Sequence, residues 1–559
     1  MVRFERSGIN KEKKSESNFL VQGSILAVAS IISRVIGLLY RIPLKSIIGD
    51  IGNDYYGTAM EIYSILLLIS SYSLPLAVSK LVSTRMAKGQ KRNAYRILKG
   101  ALLFALASGT AAGLVVYFGA GVITTYVVKT PLSIFALQVL APTLLIVAVL
   151  GVVRGFFQGM GTMMPSAISQ LIEQAVNAVV SVWVAYMLYQ YGTRIGAVLG
   201  NPSTYAEAYG AAGGTIGTGI GAFAALLFTV FVYLSYRPSL RRGLQRDKSK
   251  NVESYRRIFH VLFMTIVPVL LSTTIYNITS FLDMGIFKQI ADLQGYQAKE
   301  YSRMWGIYVG EYKVLANVPI AIASSVSASS VPSLSTAFAA KDIPQVKRKV
   351  GYSIRFIMVI AIPCAVGMGV LASPILQLLF GDSRAMPARM MQIGAVSIVF
   401  YSLSTLSNGI LQGINRMNAP VKNALVTLLI HMGVLSALMY VLDLNIYAVV
   451  WANTFFSFMM CILNGRAIRK YLRYRQEVKR TFIVPGISAL VMGGAVYGVY
   501  TLLIMTLGSN AVATVASIMV GVCVYGIVLL LLRGLREHEL RSFPMGGFIV
   551  KVAKKLKLM

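Results

Sequence analysis

Apolar runs of about twenty residues, enough to cross the hydrocarbon core of a bilayer, recur from one end of this chain to the other. They lie near residues 19–45, 57–83, 97–125, 132–156, 165–190, 214–236, 258–285, 306–338, 351–380, 389–413, 420–442, 445–468, 482–507 and 510–533. In lipid a backbone must satisfy its own polar groups, so spans of this length are helices. The chain therefore reads as an all-α polytopic membrane protein with fourteen transmembrane helices. Its composition agrees, with 56% hydrophobic and only 13% charged residues in 559, less charge than a soluble chain of that size keeps on its surface. Pro75, Pro142, Pro268, Pro319, Pro363 and Pro374 fall within or near spans, where neighbouring helices can satisfy the freed carbonyls and permit kinks.

A net charge of +33 raises nucleic acid as a partner, and the placement of the charge decides against it. Lys and Arg fill the N-terminal tail, residues 85–99, 237–257, 341–349 and 466–480, and the tail from Arg533. Short corners at Arg154 and at Arg416 with Lys422 belong to the same side. About 40 of the 53 basic residues sit there and about eight in the alternate loops, a strong positive-inside bias. The charge thus reports orientation, with both termini in the cytoplasm and anionic lipids of the inner leaflet as partners. No nucleic acid is needed to explain it. The outer loops are short, the largest near residues 191–214. Cys364, Cys461 and Cys523 stand alone in apolar runs, so neither a disulfide framework nor metal-ligand spacing is present. "AVAS" at 27–30 imitates a signal-peptidase site, but the apolar run continues past it, which predicts a retained first helix.

A short corner is written twice. "VVRGFFQGMGTMMPSAISQLIEQ" places Gly155, Gln158, Gly159 and Pro165 where "NGILQGINRMNAP" later places Gly409, Gln412, Gly413 and Pro420. Upstream, "SLPLAVS" at 73–79 echoes "NVPIAIA" at 317–323. The offset lays spans 1–6 over spans 7–12, a parallel repeat of two six-helix lobes with two additional C-terminal helices. The predicted divisions are a cytoplasmic basic tail at 1–18, an N-lobe at 19–236 and a basic inter-lobe loop at 237–257. A C-lobe at 258–470, spans 13 and 14 within 471–533 and a basic tail at 534–559 follow. In two-lobed transporters of this kind the substrate path runs between lobes that rock against each other.

An ionisable side chain inside a span is costly unless it faces a cavity or a partner, so each is a candidate site residue. Arg34 and Arg41 are seven apart in predicted span 1, about two turns, on one face and roughly 10 Å apart along the axis. Two guanidinium forks so placed can hold the phosphoryl groups of a pyrophosphate. The plainer reading of Arg41 is snorkelling to the outer surface, and that of Arg34 is a structural buried pair. Lys80 and Lys313 occupy loosely corresponding places and either widen a cationic cavity or, for Lys80, reach cytoplasmic headgroups. Glu61, Glu173, Asp283 and Glu311 are the intramembrane acids. Glu173 with Gln170 and Gln174 reads either as interhelical hydrogen bonding or as a gate. There is no phosphate-binding Gly-rich loop ending in Lys-Ser/Thr, no metal cluster and no nucleophile–base constellation, so the chain is read as no enzyme and as needing no cofactor.

"SRVIGLLYRIPLKSIIG" (33–49), "LVSTRMAKG" after Leu74 and Pro75, "VRGFFQG" (153–159) with "PSAISQLIEQ" (165–174), and "SVPSLSTAFA" (330–339) resemble the MurJ-type lipid II flippases. These belong to the multidrug/oligosaccharidyl-lipid/polysaccharide exporter (MOP) superfamily, and the likeness is to the branch of Gram-positive bacteria. It covers spans 1–12, and spans 13 and 14 fit the family's fourteen-helix, MATE-like layout. The resemblance implies a bacterial cytoplasmic membrane, peptidoglycan and cell-wall biogenesis, and support of cell shape. It implies inside-to-outside flipping of undecaprenyl-pyrophosphate-linked lipid II, with cell-wall synthesis machinery as a partner and spans 13 and 14 as a groove for the lipid tail. Arg34 and Arg41 then match the cavity arginines of the first span, and Asp54 the acid after the first outer loop. Gate or coupling roles fall to Asp54, Glu61, Glu173 and Glu311. The arginine that follows the span 2 Leu-Pro in that family is absent here, Ser79 and Lys80 standing in its place. The acid–arginine pair before the span 8 proline is also absent, with Lys313 the nearest base. Without an ATP site the drive is the membrane potential, a coupling cation or consumption of product outside. The competing expectations are a flippase for another polyprenyl-linked glycan, of capsule, teichoic-type or spore-wall kind, and a MATE-like drug/cation antiporter.

Overall fold

The structure is a computed structural model that describes residues 28–30, 32–68, 74–245, 247, 252–535 and 537, and of residues 265, 267–277, 328, 329 and 332 the backbone only. The predicted basic tail at 1–18, most of that at 534–559, the start of predicted span 1 and the side chain of Pro268 lie outside the described residues. Every regular element among those described is a helix. The chain separates into two compact units, one ending at Gly306 and one beginning at Ile307. The first holds α1 (Val28–Leu39), α2 (Arg41–Leu67), α3 (Leu74–Ala87), α4 (Lys91–Val122), α5 (Ile134–Gly159), α6 (Met164–Val198), α7 (Pro202–Gln245), α8 (Tyr255–Leu293) and α9 (Ala298–Ile307). The second holds α10 (Lys313–Ala339), α11 (Ile343–Val370), α12 (Ala372–Phe380), α13 (Ala385–Gly413), α14 (Asn418–Tyr440), α15 (Ile446–Leu472), α16 (Val484–Leu507) and α17 (Asn510–Leu531).

Ten helices among the described residues are long and apolar enough to cross a membrane: α4 to α7, α11 and α13 to α17. They match predicted spans 3–6 and 9–14. Predicted spans 1 and 2 include residues outside the described set, and spans 7 and 8 include residues described by their backbone only. Several boundaries differ from expectation, α7 running on to Gln245 and α11 starting at Ile343 within stretches expected to be basic loops. The predicted outer loop at 191–214 is almost all helix, because α6 continues to Val198 and α7 begins at Pro202. The cause is a stripe of small residues. A Cβ on Gly192 would lie 2.6 Å from the Tyr205 carbonyl oxygen, one on Gly213 2.6 Å from Ala185 Cα, and one on Gly217 2.4 Å from Ser181 N. Backbones this close pack along their whole length, so the pair outruns its greasy part. In addition, predicted span 9 is broken at Leu371 into α11 and α12.

The repeated glycines have one job in both units, close backbone approach. A Cβ on Gly155 would stand 2.6 Å from the Pro75 carbonyl oxygen, and one on Gly159 2.7 Å from Val82 Cβ, so α5 lies hard against α3. In the second unit a Cβ on Gly409 would meet Ser327 Oγ at 2.0 Å and one on Gly413 would meet Leu334 Cβ at 2.9 Å, which sets α13 against α10. Buried apolar clusters flank both contacts, Val78, Val82, Val152 and Phe156 in one unit and Leu334, Leu406, Ile410 and Leu411 in the other. The pair α16–α17 packs through α16 on α11, around Ala489, Met492 and Val496.

Candidate functional site

The first helix does not stop at Leu39. Tyr40 keeps right-handed helical angles, its N–H donates to the Ile36 carbonyl, and its carbonyl accepts from Leu44 N–H. The helix continues to Ile48, where Gly49 (φ 71, ψ −174) breaks it before the second half of α2. Arg34 and Arg41 thus belong to one helix. Ser30, Arg34 and Gly37 are spaced to share a face. Ser30 Oγ donates to Gln170 Oε1 at 3.1 Å, and a Cβ on Gly37 would lie 3.2 Å from Gln174 Oε1. This face looks onto the polar stretch of α6, and Arg34 on it is exposed. Arg41 is held among aromatic side chains. Its guanidinium lies 5.8 Å from the Tyr56 ring centroid, beside the 2.9 Å hydrogen bond joining the Tyr40 and Tyr56 hydroxyls, with Glu61 in electrostatic reach.

Three of the acids singled out in the sequence, Asp54, Glu173 and Glu311, are each met by a base. Asp54 is fully buried and accepts a 2.6 Å bond from Lys288 Nζ of α8, also fully buried, while Thr58 Oγ1 donates to the same carboxylate oxygen at 3.2 Å. Asn53 beside it donates to the Gly306 carbonyl at 2.7 Å. Glu173 pairs at 2.8 Å with Arg154 at the end of α5, whose Nε also donates to Ser169 Oγ at 2.7 Å. That is an interhelical tie, the plainer of its two sequence readings. Glu311 is fully buried in a single wide turn at Tyr308–Tyr312. Arg384 stands 3.8 Å from it and also clamps Asp382. Burial alone would raise the Asp382 carboxyl, but hydrogen bonds from the Arg384 side chain and backbone outweigh it and hold it down at about 2.

Lys288 and Arg384 were missed as partners, and the sequence did carry a signal for them. Both lie on the side predicted to be external, where basic residues are scarce. Lys45 and Lys129, two more of these exceptions, pair with Asp50 at 3.3 Å and Asp292 at 3.1 Å. Four of the bases on that side thus each stand against an acid. The expected correspondence of Lys80 with Lys313 gains no support from the packing. Lys80 is exposed and falls between Ser79 and Val82, the residues against Gly159, whereas their counterparts against Gly413 are Val331 and Leu334. Lys313 lies far upstream of those, half-buried at the first turn of α10. Among the described residues no three His, Cys, Asp or Glu gather as a metal site would require.

Comparison with known proteins brings this geometry into a family. The profile described as Polysaccharide biosynthesis protein matches residues 20–338, and that described as MatE matches 314–436. "Lipid II flippase MurJ" of Bacillus subtilis (strain 168) is 25% identical over 505 residues, covering 86% of this chain and 88% of that protein. "Stage V sporulation protein B" of the same organism is 23% identical over 536 residues, covering 96% and 99%. Among solved structures, an inward-facing multidrug resistance MATE family transporter of the MOP superfamily superposes with a TM-score of 0.62 at 16% identity, covering 80% of this chain and 99% of that one. That likeness concerns the fold.

Proposed function

The chain belongs to the polysaccharide biosynthesis protein family and is a multi-pass bacterial membrane transporter of the MOP superfamily, and from that premise we propose that it is a flippase for an undecaprenyl-pyrophosphate-linked glycan, lipid II first among them. The observation that carries this reading is the allocation of charge. Asp54, Glu173 and Glu311 are engaged by Lys288, Arg154 and Arg384, while the first helix carries Arg34 on the face that meets the amides of α6 and Arg41 beside the Tyr56 ring. A drug/cation antiporter needs acids available to its cargo; a site rich in guanidinium suits a diphosphate. In this mechanism Arg34 and Arg41 hold the headgroup, with Lys80 and Lys313 as secondary cations. The tail stays in lipid beside α16 and α17, and the two lobes expose the headgroup alternately to each side. The inside-negative potential favours outward passage of an anion by about 2.3 kcal/mol per charge per 100 mV. Asp54, Glu61, Glu173 and Glu311 are the groups whose pairings change as the path opens.

A second reading has its own support. The sporulation protein aligns over nearly all of both chains, which favours a wall precursor used at a particular stage of growth. Expression in a bacterium depleted of its lipid II flippases tests both. Growth restored by the chain and not by Arg34→Ala, at equal membrane abundance, supports the lipid II assignment. No rescue at good abundance moves the assignment to another polyprenyl-linked glycan. Rescue by Arg34→Ala as full as by the parent removes the arginine site.

A further inference from the structure

The second unit holds a cavity of about 450 Å³, within the usual range of small-molecule pockets, that headgroup transport does not use. Its walls include Ile354 of α11, Leu403 of α13, Ile468 of α15 and Phe482 just before α16, and Arg469 and Arg475 stand at it. The place follows from the chain. α15 ends because Arg473 takes left-handed backbone angles (φ 49), which turns the following residues back across the bundle. Tyr474 then packs on α11, its hydroxyl 3.1 Å from where a Cβ on Gly351 would be. This linker belongs to the basic segment predicted to be cytoplasmic, so the cavity lies at the level of the inner leaflet.

Charge at the cavity is lopsided. Glu477, the one acid between Arg473 and Ile483, is taken by Arg355 and has Arg480 at 3.9 Å. Arg469 and Arg475 are exposed and form no ion pair among the described residues. An apolar chamber under two such guanidiniums, at the inner leaflet, matches one kind of molecule, an amphiphile with an anionic head. We propose that the cavity binds an anionic phospholipid of the cytoplasmic leaflet, its phosphate between Arg469 and Arg475 and an acyl segment along Ile354, Leu403, Ile468 and Phe482. A soluble phosphate has no use for the apolar walls, and a zwitterionic lipid gains little from two arginines.

The test is a titration of the full-length protein, in nanodiscs of phosphatidylcholine, with spin-labelled phosphatidylglycerol, reading the motionally restricted fraction. Saturable binding is expected, weakened about 30-fold in R469Q/R475Q, from roughly a factor of five per arginine at an anionic surface. Leu403→Trp, which fills the chamber and leaves the arginines, weakens it as well. An unchanged thermal unfolding curve for R469Q/R475Q in phosphatidylcholine shows that the variant is folded. Equal binding of spin-labelled phosphatidylcholine, or affinity unaltered in R469Q/R475Q, overturns the proposal. Displacement of the lipid by millimolar glycerol phosphate also overturns it, by assigning the site to a soluble phosphate.

Discussion

The corner between α5 and α6 and the corner between α13 and α14 share a backbone and differ in polar chemistry. Arg154 precedes Gly155 as Asn408 precedes Gly409. In the first corner the arginine reaches across to α6, bonding Ser169 and pairing with Glu173, while Gln158 donates to Ser166 at 3.2 Å. In the second the network is neutral and needs a third helix. Asn464 of α15 donates to Asn408 at 2.7 Å and Ser407 at 3.0 Å, and accepts from Asn423 of α14 at 2.8 Å. The glycines persist because nothing else lets the backbones approach; the polar ties vary because several chemistries satisfy the same groups. A neutral network beside the cavity leaves the inner end of the second unit more open to an anion than a closed ion pair would.

The largest effect comes from the glycines. Gly155→Ala places its Cβ against backbone atoms of Pro75 that cannot move aside, and about 3 kcal/mol is expected, the upper end of overpacking costs. Gly409→Ala strikes mainly the Ser327 hydroxyl, so Ser327→Ala in the same chain recovers most of its stability. No side-chain change rescues Gly155→Ala. Thermal unfolding in detergent measures both, and rescue in both corners or in neither breaks the comparison.

Next in size is Glu173→Gln. It leaves a largely buried guanidinium without its counter-charge, at about 2 kcal/mol, less than a fully buried pair loses because some exposure remains. The double variant R154N/E173Q, which gives the first corner the amide chemistry of the second, is expected to return to within about 1 kcal/mol of the parent. A double variant as unstable as Glu173→Gln alone contradicts the claim that the two chemistries are interchangeable. Asn464→Leu removes three hydrogen bonds from the other corner, at about 1 to 2 kcal/mol, and its cost is independent of salt. A cost for Asn464→Leu that falls as salt is raised contradicts this contrast between the corners.

The smallest effect is on acidification. Asp382 sits below its ordinary 3.8, at about 2, so its ionised form is favoured by folding. Its contribution is present above about pH 4 and is lost as pH falls toward 2. Arg384→Gln is expected to flatten that part of the unfolding-temperature profile. An unaltered profile in Arg384→Gln shows that Arg384 is not what holds the carboxyl down.

Much of the fold was legible because lipid leaves a chain few choices. Ten of the predicted spans are helices within a few residues at most ends, and the repeated Gly-x-x-Gln-Gly corner marks the same helix contact in each unit. What hydropathy could not mark was the extension of α6 and α7, since small residues that bring backbones together read as weakly apolar or as loop. The pairings of the acids singled out in the sequence were not legible in it. Asp54 and Lys288 lie far apart in the chain, and nothing local in either segment announces the other. The one usable clue was the rarity of bases on the outer side. Lys80 and Lys313 show the reverse failure, in which similar proline contexts suggested a correspondence that the helix contacts do not repeat.

The central claim is that the arginines of the first helix carry a lipid diphosphate across the membrane. It is tested most directly by measuring lipid II in the outer leaflet of a flippase-depleted bacterium that expresses the chain, Arg34→Lys or Arg34→Ala. Lysine keeps the charge and loses the bidentate fork. Outer-leaflet lipid II is expected to be restored by the parent, partly by Arg34→Lys and not by Arg34→Ala, with all three equally abundant in the membrane. Equal restoration by all three would contradict the account.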